Sequence, residues 1–162
     1  MNRMSQDLSS SARKVQEALN RHDVACRVVE MPQSTRTADD AARAVGCQVG
    51  QIIKSLIFRG KKSHRALLVA ASGANRVNEK KMAALFSEPL SKADADFVRE
   101  KTGFAIGGVP PVGHAHPIRI FIDEDLLQYD EIWAAAGTPR AVFKLTPQEL
   151  QKITGGQVVA IK

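Results

Sequence analysis

The chain has 162 residues, of which 44% are hydrophobic and 25% charged. That is enough for one domain with a real core, and it is an ordinary soluble globular composition. No apolar run reaches the length of a membrane span and the first residues lack a signal-peptide core, so the expectation is a cytoplasmic protein with no membrane partner. The net charge of +6 favours a polyanionic partner such as nucleic acid.

Two cysteines, Cys26 and Cys47, form no CxxC pair and imply neither a disulfide framework nor a zinc site. Six Phe, one Trp and one Tyr sit mostly inside apolar runs. That argues against an aromatic stacking platform for single strands.

Met1 to Leu8 reads as a polar, disordered N-terminus, and one domain is expected over residues 9–162. Ser10 or Ser11 can cap a helix to about Arg21, with Ala12, Val15, Ala18 and Leu19 on one face. Val24 to Met31 alternates weakly and reads as a strand ended by Pro32. Thr37-Ala38-Asp39-Asp40 has the form of a capping box for a helix Ala38 to Val45, and Gly46 is a natural C-cap. A turn at Val49 to Gln51 leads into Ile52-Ile53-Lys54-Ser55-Leu56-Ile57-Phe58, an apolar strand with one lysine in its middle.

Lys54 has two readings. It can be an edge lysine whose stem packs while its ammonium reaches water. It can also be a cation aimed into a pocket, a strong partner for an anion or a developing oxyanion. A strand from Arg65 to Ala71 should pair back on it across the basic turn Arg59 to Arg65. That turn is either a solvated surface or a phosphate contact.

Ser72 to Asn78 is a polar loop that places Ser72 and Asn75 near a strand end, where they either bind something or satisfy turn backbone. Asn78 can cap a helix Glu79 to Phe86. Ser91-Lys92-Ala93-Asp94 repeats the capping-box form before a helix that ends at Gly103. Then Gly107-Gly108-Val109-Pro110-Pro111 gives a backbone both bent and stiff, able to present peptide groups at fixed positions. A mere corner needs less stiffening.

Pro117 to Asp123 alternates as a strand, and Leu126 to Gln128 reads as a helical turn. Glu131 to Ala136 and Ala141 to Leu145 are two strands joined through Gly137 to Arg140. Thr146-Pro147-Gln148-Glu149 starts a helix that stops at Gly155-Gly156, before a strand Val158 to Ile161. The interleaved elements and hairpins predict one α/β domain with a mixed sheet.

No Walker loop, GxGxxG or GxSxG motif is present. His114-Ala115-His116 could supply two metal ligands, but a third, such as Cys47 or Asp123, would have to arrive from elsewhere, so no metal is expected. No second feature marks Cys47 as a nucleophile.

Ser34-Thr35-Arg36-Thr37-Ala38, Ala41-Ala42, the strand Gln51 to Phe58, the loop Gly107 to His114 and Phe143 to Leu150 resemble the YbaK family. This is the free-standing relative of the editing domain inserted in bacterial prolyl-tRNA synthetases. The resemblance runs from about Ser9 to Ile161. Its most specific parts are the strand lysine and the GxxxP loop.

The resemblance implies a mixed α/β fold with a barrel-like curved sheet flanked by helices, and a trans-editing hydrolase without metal or organic cofactor. Such proteins cleave the ester between a wrong amino acid and the terminal adenosine of tRNA, typically tRNA for proline carrying a small residue such as Ala, Cys or Ser. It places the catalytic role on Lys54, Gly107 and Pro111. Ser72, Asn75, Gly108, His114 and Asp123 become substrate-binding positions. The basic residues Lys61, Lys62, Arg65, Lys80 and Lys81 would hold the acceptor stem, with prolyl-tRNA synthetase a possible partner.

One departure bears on specificity. The cysteine-specific members carry an acidic residue near the Gly137 turn, and this chain reads Gly137-Thr138-Pro139-Arg140-Ala141-Val142. The competing readings are a non-catalytic module that binds aminoacyl-tRNA or a nucleotide, and a hydrolase for another small acyl ester.

Overall fold

A computed structural model describes residues 8–162; the expectation for Met1 to Asp7 lies outside them. Leu8 is buried in the main core. The helices are α1 (Ser10–Arg21), α2 (Ala38–Val45), α3 (Glu79–Phe86), α4 (Ala95–Thr102) and α5 (Pro147–Thr154). The strands are β1 (Val28–Glu30), β2 (Ile53–Gly60), β3 (Ala66–Ser72), β4 (Leu90–Lys92), β5 (Arg119–Asp123), β6 (Ile132–Ala135), β7 (Ala141–Leu145) and β8 (Gln157–Val159). Single 3-10 turns occupy Val49–Gln51 and Glu124–Gln128.

The expected mixed architecture is present, divided into two sheets. One has five strands in the order β4-β2-β3-β5-β8, the other three in the order β1-β7-β6. β3, β5 and β8 run parallel, and the remaining pairs are antiparallel. The two sheets touch at one isolated bridge, Ile52 with Trp133.

β3 is buried along its whole length because α3 packs on one face and the main core lies on the other. Its sequence is accordingly a continuous apolar run rather than an alternating one. Phe143, Leu145, Ile132 and Leu150 are each at most 2% exposed. Burying side chains of this size contributes about 1.5–3 kcal/mol apiece.

Three local expectations are corrected. The first helix is capped by Ser9, whose side chain accepts from the Ala12 amide, because Ser10 is already helical. The Val24 to Met31 strand shrinks to Val28–Glu30, the part that falls in register with β7. Ser91 does not cap a helix. It pairs with Arg59 in β4, and Asp94 takes the cap by accepting from Phe97 N–H at 2.8 Å. A capping residue needs extended backbone, and both positions have it, so the pairing of Ser91 decided between them.

The other caps follow the expected chemistry. Thr37, Asn78 and Thr146 each accept from the amide three residues on, and Glu149 completes a reciprocal box with Thr146. Gly46, Gly103 and Gly155 end their helices in the left-handed region.

Candidate active site

β4 pairs only with Phe58–Gly60, so the Ile53 to Ile57 stretch of β2 has β3 on one side and no strand on the other. β6 diverges from it beyond the Ile52–Trp133 bridge. The wedge between the two sheets is a cavity of about 860 Å³. Its walls include Lys54 from β2, Gly107 and Gly108 from the loop after α4, and Trp133 from β6. The strand lysine and the glycine loop, about 50 positions apart in the chain, therefore face one space.

Lys54 is half-buried, and its Nζ donates to the carbonyl of Asn75 at 2.7 Å. Burial holds its ammonium below the usual lysine range, Arg76 adds to that by repulsion, and Asp123 opposes it. Beneath it lies a polar knot. Asp123, 1% exposed, accepts from Ser72 N–H at 2.9 Å, from Asn75 Nδ2 at 2.9 Å and from Asp125 N–H at 2.9 Å. Asn75 Nδ2 also donates to Asp125 at 2.8 Å, and Asp125 pairs with Lys162 at 3.0 Å. The Ser72 hydroxyl donates to the Gly50 carbonyl at 2.7 Å. Ser72, Asn75 and Asp123 are thus gathered into one network that fixes the loop whose carbonyl holds Lys54. None of the three is on the cavity wall.

The glycine loop splits its peptide groups between structure and site. Gly108 N–H donates to Ala105, and Gly108 C=O accepts from Gly137 N–H at 2.8 Å. The peptide N–H and C=O of Gly107 have no hydrogen bond among the described residues. Gly107 sits at φ +98°, which only glycine adopts without strain, and Arg36 lies across it, within 3.2 Å of where a Cβ would be. A Cβ on Gly108 would lie 2.7 Å from Thr138 N. Glycine is required at 108 because two backbones touch there.

Pro111 is buried and off the cavity wall. His114 is also off it, with Nε2 2.7 Å from the Pro110 carbonyl. A carbonyl only accepts, so Nε2 carries the hydrogen. Burial lowers the affinity of this ring for a second proton. His114 and Pro111 brace the loop from behind. Cys47 is partly buried, burial raises its thiol pKa, and its Sγ donates to the Gln48 carbonyl. No group of three or more His, Cys, Asp or Glu among the described residues is arranged to hold a metal ion.

The five basic residues lie elsewhere on the surface. Lys61 and Lys62 sit in the β2–β3 turn, about seven residues or roughly 23 Å along the strand from Lys54. Arg65 pairs with Glu88 at 3.4 Å and lies over the Phe86 ring. Lys81 donates to the carbonyl of Lys162, and Lys80 is exposed on α3.

Sequence reasoning gave no role to Arg36, Arg76, Lys92 or Trp133, all of which line the cavity. A signal was present for two of them. Arg36 immediately precedes the cap of α2, and Arg76 stands two residues before the cap of α3. A helix N-terminus disfavours cations, so an arginine there calls for another reason.

Residues 32–153 match the family model described as the aminoacyl-tRNA editing domain. A solved structure described as a candidate trans-editing enzyme for prolyl-tRNA synthetase shares 55% identity. It superposes with a TM-score of 0.91 over 96% of this chain and 99% of its own. An uncharacterized Bacillus subtilis protein, YwhH, is 32% identical over 81% of this chain and 83% of its own length. An Enterococcus faecalis protein, EbsC, named as a candidate Cys-tRNA(Pro)/Cys-tRNA(Cys) deacylase, is 26% identical over 77% of this chain and 76% of its own. No described helix is long and apolar enough to cross a membrane. With the lysine strand and the glycine loop on one cavity and three quarters of the sequence matched, the chain belongs to the aminoacyl-tRNA editing domain family and has the activity class of an aminoacyl-tRNA deacylase.

Proposed function

We propose that this deacylase acts in trans on tRNA for proline that carries a small non-cognate amino acid such as alanine, cysteine or serine, in the cytoplasm and alongside a prolyl-tRNA synthetase. The observation that carries the reading is the shared cavity of Lys54 and Gly107, with a half-buried cation on one wall and an unpaired peptide group on the other. Residues 9–162 serve as one editing domain.

The reaction needs little chemical force, because an aminoacyl ester is already activated. Water adds to the carbonyl carbon, the bond from that carbon to the ribose oxygen breaks, and the ribose hydroxyl regains a proton. The protein's task is to position the ester and to stabilise the tetrahedral oxyanion. Lys54 supplies the positive charge, and the Gly107 peptide holds a substrate hydroxyl or the attacking water.

Pro111, Gly108 and His114 keep that peptide in place. Ser72, Asn75 and Asp123 keep Lys54 aimed. Ser72, Asn75, Asp123, Pro111 and His114 are positioning residues, since they stand behind the cavity wall. No metal or cofactor enters this scheme. Lys61, Lys62, Lys80 and Lys81, with Arg65 through the charge that Glu88 leaves it, steer the acceptor stem by its phosphates.

Rejection of cognate proline rests on shape, since one methylene is worth only about 1–3 kcal/mol of discrimination. The missing acidic residue at the Gly137 turn makes alanine or serine at least as good a candidate as cysteine.

The test is deacylation of proline tRNA charged separately with alanine, cysteine, serine and proline, by wild type and Lys54→Ala. Fast release of one non-cognate residue that the variant loses establishes editing and names the substrate. Tight binding of all four without release by either protein would instead favour a non-catalytic module.

A further inference from the structure

The cavity rim carries more positive charge than the reaction uses. Arg36, Arg76 and Lys92 line it together with Lys54, and one carboxylate, Glu79, stands among them. Among the described residues, none of these four cations takes part in a salt bridge. Arg36, Arg76 and Lys92 are all exposed, and among the described residues no side-chain hydrogen bond holds any of them. They come from three separate elements: the entry to α2, the entry to α3 and the end of β4.

Like charges brought together without counter-ions repel one another, and here Arg76 is close enough to disfavour the Lys54 ammonium. Two of them also stand where helix dipoles oppose a cation. Such an arrangement is tolerated when an anion completes it. The β2–β3 turn differs in one respect: its Arg65 is paired, with Glu88 at 3.4 Å, and the same carboxylate accepts from the Lys62 and Ser63 backbone amides.

We propose that Arg36, Arg76 and Lys92 form a phosphate-binding rim for the single-stranded 3′ end of the RNA substrate, threading its last phosphodiesters to the cavity so that Lys54 is left to the ester. This rests on the cavity being the acyl site of the deacylase. The rim, rather than the β2–β3 turn, is the main electrostatic contact for the tail. Arginine suits two of the positions because its planar fork matches phosphate oxygens bidentately.

The experiment is equilibrium binding of two fluorescent RNAs across a salt series. One is an acceptor hairpin ending in a single-stranded CCA tail, the other the same hairpin cut blunt. Wild type is compared with Arg36→Ala, Arg76→Ala, Lys92→Ala, the triple variant, and Lys152→Ala on α5 as a control. For a single strand, each phosphate contact contributes about 0.7 to the slope of log K against log salt. The triple variant should lose about 2 of slope on the tailed hairpin, with each single variant losing about a third of that. The blunt hairpin and the Lys152 control should not change.

An unchanged slope on the tailed RNA overturns the proposal, as does an equal loss on the blunt one. Thermal melting of each variant separates lost contacts from lost fold. The outcome is independent of turnover. Slope lost without any deacylation would leave the rim standing and remove the editing of proline tRNA. Deacylation with an unchanged slope would do the reverse.

Discussion

Asp123→Asn is the change that most directly tests how Lys54 is held. The substitution is nearly isosteric and leaves the cavity wall untouched. The wild-type carboxylate accepts three hydrogen bonds, two on Oδ2 from Ser72 N–H and Asn75 Nδ2 and one on Oδ1 from Asp125 N–H. An asparagine has one accepting oxygen. In its better orientation that oxygen keeps the Ser72 and Asn75 bonds, and its NH2 group then faces the Asp125 amide, donor against donor.

One charge-assisted bond is lost, worth about 1.5–3 kcal/mol, and two others weaken toward the neutral range of roughly 0.5–1.5 kcal/mol. Relief of the buried charge offsets part of this, so the net loss of stability should be about 2–4 kcal/mol. For a domain of this size, each kcal/mol moves Tm by about 2–4 °C, so a fall of roughly 5–15 °C is expected by calorimetry. The Asn75 loop loosens with it. Deacylation at a temperature where the variant is still folded should fall at least about tenfold, since a misplacement of about 1 Å can cost about a hundredfold. A variant that melts within about 2 °C of wild type and turns over normally would refute the idea that this knot positions Lys54.

Other outcomes follow from the same geometry. Lys54→Met should abolish deacylation without lowering stability. The folded-state pKa of Lys54 is depressed below 10.5, so the unfolded chain binds more protons in the window between the two values. Wild type should therefore gain stability relative to the methionine variant as pH rises through that window, read by urea titration at a series of pH values. Gly108→Ala places a Cβ 2.7 Å from Thr138 N and 2.9 Å from the Gly137 carbonyl carbon. Overpacking of this kind costs about 1–3 kcal/mol, and the displaced loop should raise KM. Glu88 is held down to about 2 by bonds from Ser63, then from the Lys62 amide and Arg65. Its contribution is present above about pH 4.5 and lost as pH falls toward 2, so Glu88→Gln should flatten acid unfolding in that window.

Much of the fold was legible from local chemistry. Thr37, Asn78 and Thr146 announce helices because a side-chain oxygen three residues ahead of an amide satisfies a donor the helix cannot. Gly46, Gly103 and Gly155 announce helix ends because they alone accept the left-handed backbone cheaply. The β2–β3 hairpin reads directly from two apolar runs and a polar turn. These are near-neighbour effects, written in a few adjacent residues.

What escaped depends on contacts between distant parts of the chain. Val24 to Arg27 looks like the rest of its strand, yet only Val28–Glu30 meets β7. Ser91 and Asp94 are both plausible caps, and the pairing of Ser91 with Arg59 removes one.

The site divides in the same way. Lys54 and the Gly107 loop are conspicuous in the sequence because an ion in an apolar strand and a run of glycine and proline both violate local preference. That they share one cavity, while Ser72, Asn75, Asp123 and His114 stand behind its wall, is decided by how β2 and β6 part after a single bridge. Arg36, Arg76 and Lys92 look like ordinary surface charge in one dimension. Only the folded chain brings the three to one rim without acidic partners enough to neutralise them, because charge pairing is a property of distance in space and not of order along the chain.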